Sequence, residues 1–571
     1  MRRIVVAVAC LAVVGMLSAA PGADAASRPR GMAARRGVES GRTASPARVQ
    51  ANAAGVTNHL SSYSSRQLKL WALQNRANVN GGGGPNYELE CTKSRGGKNT
   101  NLTCDHAFLP ANEPDIEVDP EDPDHMIASW NDYESCCDGF GTTFDGGETW
   151  FVGDMSTEDT NRIGSDPVTV FDPVTDTAIH SSLNFIINDA GEACDGDLVV
   201  SLSHDGGITW EEAIVVNGGR GCDSDPVQIF NDKEWIVTDT NPTSPFYGRT
   251  YITWSRFVAD DGAYVESAIW ESHSDDGGQT WSRGQEISGS NPTRCTFQEA
   301  GAANQCDENQ FSVPTVAPDG TVYVAFENEQ NEALWEPGEL FDNQYLVVKS
   351  TNGGASWTSP RFVVGLEDGS NDYPINVDGR QTLTNYQIRV NSAGNIVAGP
   401  AGELYLVFAD NRAGVRDTAR PRTNTNVYMM YSANGTTWSG PHPVDTSAKD
   451  QWFPWVDVSD TGEVKVLYHS RRPTDPDLYD TRVATGHPLT GFSRLRVNTA
   501  PSNPVFSLFF RAQAPGCRRC ATFHGDYNRI AFGSDGVAHM GWTDMRKFVS
   551  FGGASDSGHT EEIFWARDDQ L

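Results

Sequence analysis

Ionisable and aromatic side chains recur where short, strand-like apolar runs of this sequence begin or end. Carboxylates stand at three of the earlier openings, Asp115, Asp166 and Asp225. Later units carry three aromatic residues at their openings and three arginines after their second run: Tyr386, Trp452, Tyr527, Arg412, Arg472 and Arg546. Carboxylates can act as general acids and bases, and an arginine can hold a carboxylate through two parallel hydrogen bonds. Gathered around one pocket, such residues suit a sugar that bears a carboxylate.

Several of these residues also have a purely structural interpretation. Asp166 stands in a Ser-Asp-Pro sequence, which can simply cap a turn. Arg412 and Arg546 each follow an aspartate by two positions, so each can pair with its neighbour and stiffen a loop. Trp452 can serve as a sugar platform or pack in the core. The sequence leaves these alternatives open.

One turn sequence recurs along the chain and indicates which elements must position these residues. It contains Asp or Asn, then Gly, then a Trp at a nearly fixed distance, and the five Trp residues are Trp150, Trp210, Trp281, Trp357 and Trp438. In such a turn the Asp or Asn side chain accepts hydrogen bonds from backbone amides, and Gly supplies the positive φ. The repeat therefore predicts five hairpin turns whose aspartates are structural.

Strand-like openings are more numerous than these turns. Seven openings occur, beginning near Pro114, Asp166, Asp225, Val313, Tyr386, Pro454 and Tyr527. Each is followed by a second short apolar run, and Gly, Asp, Asn and Pro separate the runs. This punctuation is typical of an all-β protein built from short antiparallel strands.

The recurring turn resembles the Asp-box, or BNR, repeat of sialidases and related β-propellers, whose pattern is S/T-x-D-x-G-x-T-W. The resemblance covers roughly residues 110–567. It implies a β-propeller of four-stranded antiparallel blades over residues 86–571. The seven openings favour seven blades, and six remain if one opening is an insertion or the two ends share a blade. In these propellers the box joins the third and fourth strands, on the face opposite the functional one.

The resemblance also implies a chemistry. Sialidases use an arginine triad, a tyrosine nucleophile supported by a glutamate, and an aspartate acid/base. By this resemblance the protein is an exo-glycosidase acting on extracellular glycans, with the acid/base among Asp115, Asp166 and Asp225 and the nucleophile Tyr386 or Tyr527. The arginines and Trp452 then bind substrate. The Arg-Ile-Pro motif of sialidases is missing, because the first opening reads Glu-Pro-Asp-Ile. The alternative is a non-catalytic propeller that binds glycan or protein, with Ca²⁺ possible in its acidic ring.

The ends, the cysteines and the charge indicate where the protein acts. Residues 1–25 have the pattern of a secretory signal peptide, and residues 26–85 read as a disordered leader with a short helix. No later stretch is apolar enough to span a membrane. Ten cysteines follow the signal peptide and lie close together in pairs, which predicts local disulfides. The 571 residues carry a net charge of −32, which argues against nucleic acid as a partner. We expect a secreted monomer.

Overall fold

A computed structural model describes residues 87–571, apart from 105–109, 134–136, 156–161, 189–192, 223–224, 262, 298–301, 331–342, 370–371, 377–379, 416–420, 508–522 and 551–556. The predicted signal peptide (1–25) and leader (26–85) lie outside the described residues. So do the predicted Cys517–Cys520 pair and Cys136.

The described residues form β-strands and no α-helix, which confirms the all-β prediction. Two short 3-10 turns occur, at Pro504–Phe506 and Asp568–Gln570. The strands are β1 (Tyr87–Ser94), β2 (Thr100–Asn101), β3 (Ala111–Val118), β4 (Met126–Asp132), β5 (Asp138–Thr143), β6 (Thr149–Met155), β7 (Arg162–Asp172), β8 (Thr177–Ile187), β9 (Ala193–Ser203), β10 (Ile214–Asn217), β11 (Val227–Thr238), β12 (Thr250–Asp260), β13 (Ala263–Ser274), β14 (Gln285–Glu286), β15 (Asn309–Val316), β16 (Val322–Asn328), β17 (Asn343–Ser350), β18 (Arg361–Leu366), β19 (Ile396–Ala398), β20 (Leu404–Asp410), β21 (Asn426–Ser432), β22 (Ser439–Asp445), β23 (Gln451–Val458), β24 (Val464–Arg471), β25 (Tyr479–His487), β26 (Gly491–Arg496), β27 (Arg529–Phe532), β28 (Ala538–Asp544), β29 (Phe548–Ser550), β30 (Ser557–His559) and β31 (Glu562–Arg567).

Most strands pair antiparallel in sequence order and form groups of four. The groups are β3–β6, with β1 added at its outer edge, then β7–β10, β11–β14, β15–β18, β19–β22 and β23–β26. One parallel bridge, Phe230 to Gly196, joins β11 to β9. The last group is β27, β28 and β31 with β2 as its outer strand, and β29 pairs with β30 in a separate hairpin.

Neighbouring groups contact each other through their first strands. In chain order β3 contacts β7, and the contacts continue through β11, β15, β19, β23 and β27, which contacts β3 in turn. The two ends of the chain share the last sheet, because Thr100 and Asn101 of β2 pair with Trp565 and Phe564 of β31. β16 and β20 are the second strands of their groups and pair on both edges, and both are buried along their whole length.

The five recurring turns join the third and fourth strands of their groups, as the sequence predicts. In the third turn Ser274 Oγ donates to Asp276 Oδ1 (2.8 Å), and Thr280 N donates to the same oxygen (2.8 Å). Gly278 N donates to Ser274 Oγ (3.0 Å). The first, second and fourth turns repeat this set of bonds, and in the shorter fifth turn Asn434 Oδ1 accepts from two backbone amides. The Asp and Asn side chains therefore hold the turns.

Two of the predicted openings differ from the strands. Tyr386 lies in the long connection between β18 and β19, and the first strand of that group is the short β19. β11 begins at Val227 and extends for 12 residues, so Asp225 lies just outside the strand. Both differences arise because an Asp or Tyr before an apolar run marks where a chain can turn, whereas the sheet begins where backbone pairing begins.

Three disulfides confirm the prediction of local cross-links. They join Cys91 to Cys104, Cys194 to Cys222 and Cys295 to Cys306. Cys137 is also disulfide-bonded. Across the described residues, no helix is long and apolar enough to cross a membrane.

Candidate active site

Five of the first strands share one irregularity. Their pairing register shifts there, and each bulge holds a non-glycine residue with a left-handed φ between 52° and 57°: Glu113, Asp166, Lys233, Phe311 and Phe453. A left-handed φ costs a residue with a Cβ roughly 1 kcal/mol or more. Bulges commonly redirect a side chain beside an active site. In β3, β7 and β11, the first strands of three consecutive groups, the redirected residue carries a charge.

These three residues belong to a cluster contributed by several strands. The central cluster contains the three charged bulge residues, Glu113, Asp166 and Lys233, and also Glu234, which follows Lys233. It is completed by Asp526 and Tyr527, which lead into β27, and by Arg389 from the connection before β19. All seven are buried, with no more than 6% of any residue exposed. Gly525 permits the close approach of two segments, because a Cβ there would lie 2.9 Å from Glu113 Cγ.

The pKa values of two glutamates of the central cluster are shifted upward. Burial, together with the charges of Asp166 and Asp526, raises the pKa of Glu113 well above its ordinary value. Burial and Asp166 likewise raise the pKa of Glu234. Asn131 Nδ2 donates to Glu113 Oε2 (2.6 Å), whereas the Glu234 carboxyl has no hydrogen bond to any described residue. Both carboxyls therefore keep their protons to a higher pH than an ordinary glutamate, as a general acid requires.

Lys233 lies against the ring of Tyr527. Its Nζ is 3.6 Å from the centroid of that ring and 4.8 Å from the centroid of Trp235. Neither this ammonium nor the Tyr527 hydroxyl has a hydrogen-bond partner among the described residues. Burial and the surrounding carboxylates, Glu113 first, raise the pKa of the Tyr527 phenol well above its ordinary value. The phenol is therefore protonated and needs a base before it can act as a nucleophile.

Arg389 and Asp526 form a buried ion pair at the edge of the cluster. Arg389 Nε donates to Asp526 Oδ1 (3.1 Å), and a second short bond joins Arg389 Nη2 to Asp526 Oδ2. The guanidinium also stacks on Phe523, with Cζ 4.4 Å from the ring centroid. Burial raises the pKa of Asp526, although Arg389 opposes this effect. The central cluster thus combines proton donors, a phenol, carboxylates and two cations, a set that can carry general acid–base chemistry.

Of the residues predicted from the sequence, the structure brings Asp166 and Tyr527 together in the central cluster. Asp115 lies one step further along β3 and ties three strands. Its Oδ2 accepts from Thr169 N of β7 (2.9 Å), and its Oδ1 lies 3.2 Å from Arg529 Nε of β27. Burial raises the pKa of Asp115 to about 7 even with this arginine beside it. Asp115 therefore links β3 to β7 and β27.

Asp225 and the three arginines lie elsewhere. Asp225 pairs with Arg220 (3.2 Å), and the amide of Val227, which donates to it, lowers its pKa. Arg412 and Arg546 each form two-pronged ion pairs with the aspartate two positions earlier, the structural alternative that the sequence left open. Arg472 is 33% exposed and lies 3.5 Å from Asp480.

The two remaining predicted residues lie in a neighbouring aromatic cluster. Trp452 is 1% exposed, and its ring centroid lies 5.2 to 6.4 Å from those of His469, Tyr479 and His524. Tyr386 packs beside it, with Arg471 Cζ 3.8 Å from the Tyr386 ring. Trp452 packs in the interior and leaves no ring face for a sugar.

Five residues of the central cluster lie outside the set predicted from the sequence: Glu113, Lys233, Glu234, Asp526 and Arg389. A signal for Glu113 is present, because it precedes Pro114 as Asp166 precedes Pro167, and proline is tolerated in a strand at a bulge. Lys233 and Glu234 have no such mark. Their place depends on where a bulge interrupts the pairing of β11 with β12, which the sequence does not reveal.

The sequence leaves open a Ca²⁺ ion bound in the acidic ring. Within the part of the chain that the structure describes, no group of three or more His, Cys, Asp or Glu side chains is arranged to hold a metal ion.

Comparison with known proteins gives no family. No family model matches the chain, and no curated protein matches it. Solved structures match at low identity. A leech intramolecular trans-sialidase is 12% identical with a TM-score of 0.38, covering 64% of this chain and 65% of its own. A polysaccharide lyase described as an ulvan lyase is 9% identical with a TM-score of 0.45, covering 83% and 94%. A Dyadobacter fermentans protein of unknown function is 10% identical with a TM-score of 0.40, covering 72% and 96%. Likenesses this weak carry no argument about the activity of this chain.

Proposed function

We propose that the protein is a secreted seven-bladed β-propeller that hydrolyses glycosidic bonds in extracellular glycans. The cyclic contacts of the first strands and the shared last sheet support seven blades. The repeated turns support a relationship with Asp-box propellers, including sialidases. The disulfides support an extracellular location, since such bonds persist in oxidising compartments.

One observation carries the catalytic part of the proposal. Three strained bulges place Glu113 and Asp166 where their charges act on the Tyr527 phenol, and Lys233 over its ring. The Tyr527 hydroxyl lacks a partner among the described residues. Strain of this kind persists where function requires a side chain in that place. We assign the general acid to Glu113, whose raised pKa keeps a proton available for the leaving glycosidic oxygen.

Asp166 and Tyr527 complete the reaction in this proposal. Asp166 takes the phenolic proton as the Tyr527 oxygen attacks the anomeric carbon, and the bond from that carbon to the leaving oxygen breaks as Glu113 protonates it. Water then attacks the anomeric carbon of the glycosyl–tyrosine intermediate and gives one proton to Glu113, while the carbon–oxygen bond to Tyr527 breaks and Asp166 returns its proton to the departing phenolate. Lys233 on the Tyr527 ring favours the phenolate that forms during attack.

A panel of aryl glycosides that includes a sialoside tests this function. Glu113→Gln and Asp166→Asn should each lower kcat/KM by about 10²-fold or more, the usual range for a general acid or base. Asp225→Asn is the matched control, because its carboxylate lies outside the cluster, and it should retain activity within about twofold. If the wild-type protein hydrolyses a substrate and both cluster variants stay within a few fold of it, the site assignment is wrong.

The burial of the cluster favours a second candidate. Glu234 is fully buried and Glu113 is 1% exposed, whereas a hydrolase must admit a sugar to its acid. A non-catalytic propeller that binds glycan or protein would not need this access. Folded protein that binds immobilised glycans and cleaves no member of the panel would favour this candidate.

A further inference from the structure

Asn131, in β4, connects the first two bulges of the central cluster. Its side chain is fully buried, and its amide oxygen accepts from the backbone N–H of Asp166 (2.8 Å) and from Ser165 Oγ (3.0 Å). Its amide nitrogen donates to Glu113 Oε2 (2.6 Å). One side chain therefore joins the proposed acid on β3 to the backbone that carries the proposed base on β7.

The backbone determines how this amide is oriented. A peptide N–H can only donate, so the atom that meets Asp166 N must be the amide oxygen, and the NH₂ group must face Glu113. Since that NH₂ group can only donate, Glu113 Oε2 is the acceptor in their bond. The carbonyl oxygen of a protonated carboxyl is a stronger acceptor than its hydroxyl oxygen, which leaves the proton on Oε1.

The fold does not require an asparagine at this position. Asn131 pairs with Asn112, the residue directly before the bulge of β3. The corresponding positions opposite the other four bulges hold four different residues, Leu183, Ser255, Glu327 and His469. Because the same bulge forms opposite an aliphatic, a hydroxyl, a carboxyl and an imidazole side chain, the amide of Asn131 serves something other than the bulge itself.

We propose that Asn131 is a positioning residue for Glu113: it directs the carboxyl proton to Oε1 and keeps Glu113 at a fixed distance from Asp166. Its importance for catalysis rests on the proposed function, whereas its hydrogen bonds do not. Fixed geometry between reacting groups accelerates a reaction, and a general acid acts through the oxygen that holds its proton. Asn131 acts through Glu113 and takes no part in the bonds that form or break.

Infrared spectroscopy of the carboxyl proton tests this role and needs no enzymatic activity. The carbonyl band of protonated Glu113 is identified by its loss in Glu113→Gln, and each Asn131 variant is compared with the same variant carrying Glu113→Gln. Asn131→Leu removes both hydrogen bonds and should fold, because Leu183 fills the corresponding position opposite the bulge of β7. Asn131→Asp keeps an acceptor for Asp166 N and removes the donor to Glu113.

The two variants should change the Glu113 band in defined directions. In Asn131→Leu the band should move to higher frequency, because the carbonyl loses a hydrogen bond. In both variants the titration of the band should move to higher pH, because a donor that favours the ionised carboxylate is missing. The other charges that act on Glu113 are unchanged in both variants, and they belong to Asp166, Asp526, Lys233 and Arg389.

Asn395→Leu is the matched control. Asn395 is also buried, and its amide joins two neighbouring groups through Val456 N (2.7 Å) and Val456 O (2.8 Å). This control should leave the Glu113 band and its titration unchanged, and circular dichroism verifies that each variant is folded. An unchanged titration in both Asn131 variants, or an equal change in Asn395→Leu, would overturn the role of Asn131.

Hydrolysis separates this role from the proposed function. If the wild type cleaves an aryl glycoside, Asn131→Leu should lower kcat about tenfold or more, and the alkaline limb of its kcat/KM profile should move to higher pH together with the infrared titration. If the wild type cleaves no glycoside while the infrared changes occur, the proposed function is wrong and Asn131 still positions the Glu113 proton.

Discussion

Replacing Asp115 with asparagine should make the stability of the protein less dependent on pH. Asp115 is fully buried, and its Oδ2 accepts from Thr169 N (2.9 Å). Arg529 lies beside its other oxygen but also pairs with Glu117 (2.7 Å). Because Arg529 divides its charge in this way, burial prevails and raises the pKa of Asp115 from 3.8 to about 7.

The sign and the size of the effect follow from proton binding. Between these two pKa values the folded protein binds a proton that the unfolded chain has released, so stability falls as pH rises. The contribution is fully present below pH 3.8 and is lost as pH rises through about 7. Each unit between the two pKa values corresponds to about 1.4 kcal/mol, which gives about 4 kcal/mol in total. Asparagine still accepts from Thr169 N and cannot ionise, so the variant avoids this loss.

Urea unfolding followed by tryptophan fluorescence at pH 4 and pH 8 measures the difference. Relative to the wild type, the free energy of unfolding of Asp115→Asn should rise by about 4 kcal/mol between these two pH values. Asp457→Asn should show a smaller rise of about 3 kcal/mol, because burial raises the pKa of Asp457 to about 6. Asp225→Asn, with its lowered pKa at the surface, should show no rise over this range. A constant difference between Asp115→Asn and the wild type would mean that Arg529 outweighs burial.

Two further predictions concern acid stability and the repeated turns. Burial lowers the pKa of His524 to about 3, so stability should fall as pH drops below 6.5, where the unfolded chain binds the proton that the folded protein excludes. His524→Phe should remove about 3 kcal/mol of this loss at pH 4, measured by urea unfolding at pH 4 and pH 7, and an unchanged loss would refute it. Asp276→Ala removes three hydrogen bonds of the third turn and should cost about 1–2 kcal/mol by thermal unfolding. Asp276→Asn should cost less, because Asn352 fills the same place in the fourth turn, and equal losses would contradict this reasoning.

The turns could be predicted from sequence because their chemistry is local. Ser274, Asp276 and Gly278 lie within five residues, and the hydrogen bonds among them depend on nothing further away. The same is true of the three disulfides, whose cysteines are near neighbours in the chain. Five repetitions of one local pattern were enough to indicate an all-β fold.

The central cluster depends on pairing between strands, which the sequence records poorly. Asp225 and Lys233 both stand near the beginning of an apolar run, yet only Lys233 lies at the bulge of β11. Arg389 reaches the cluster from a connection that looks like a strand opening. Asp166 and Tyr527 were found because the apolar run after each of them does form part of a first strand, β7 and β27 respectively.

The pairing of β2 with β31 has a consequence for the order of events during synthesis. Thr100 and Asn101 leave the ribosome long before their partners Trp565 and Phe564 are made. Until then β2 has no sheet to join, and exposed strand edges invite pairing with other chains. Such long-range closure is slow and leaves a nascent protein open to aggregation. A circular permutant whose new ends lie in an exposed loop would make β2 and β31 neighbours in sequence and should fold faster at equal final stability.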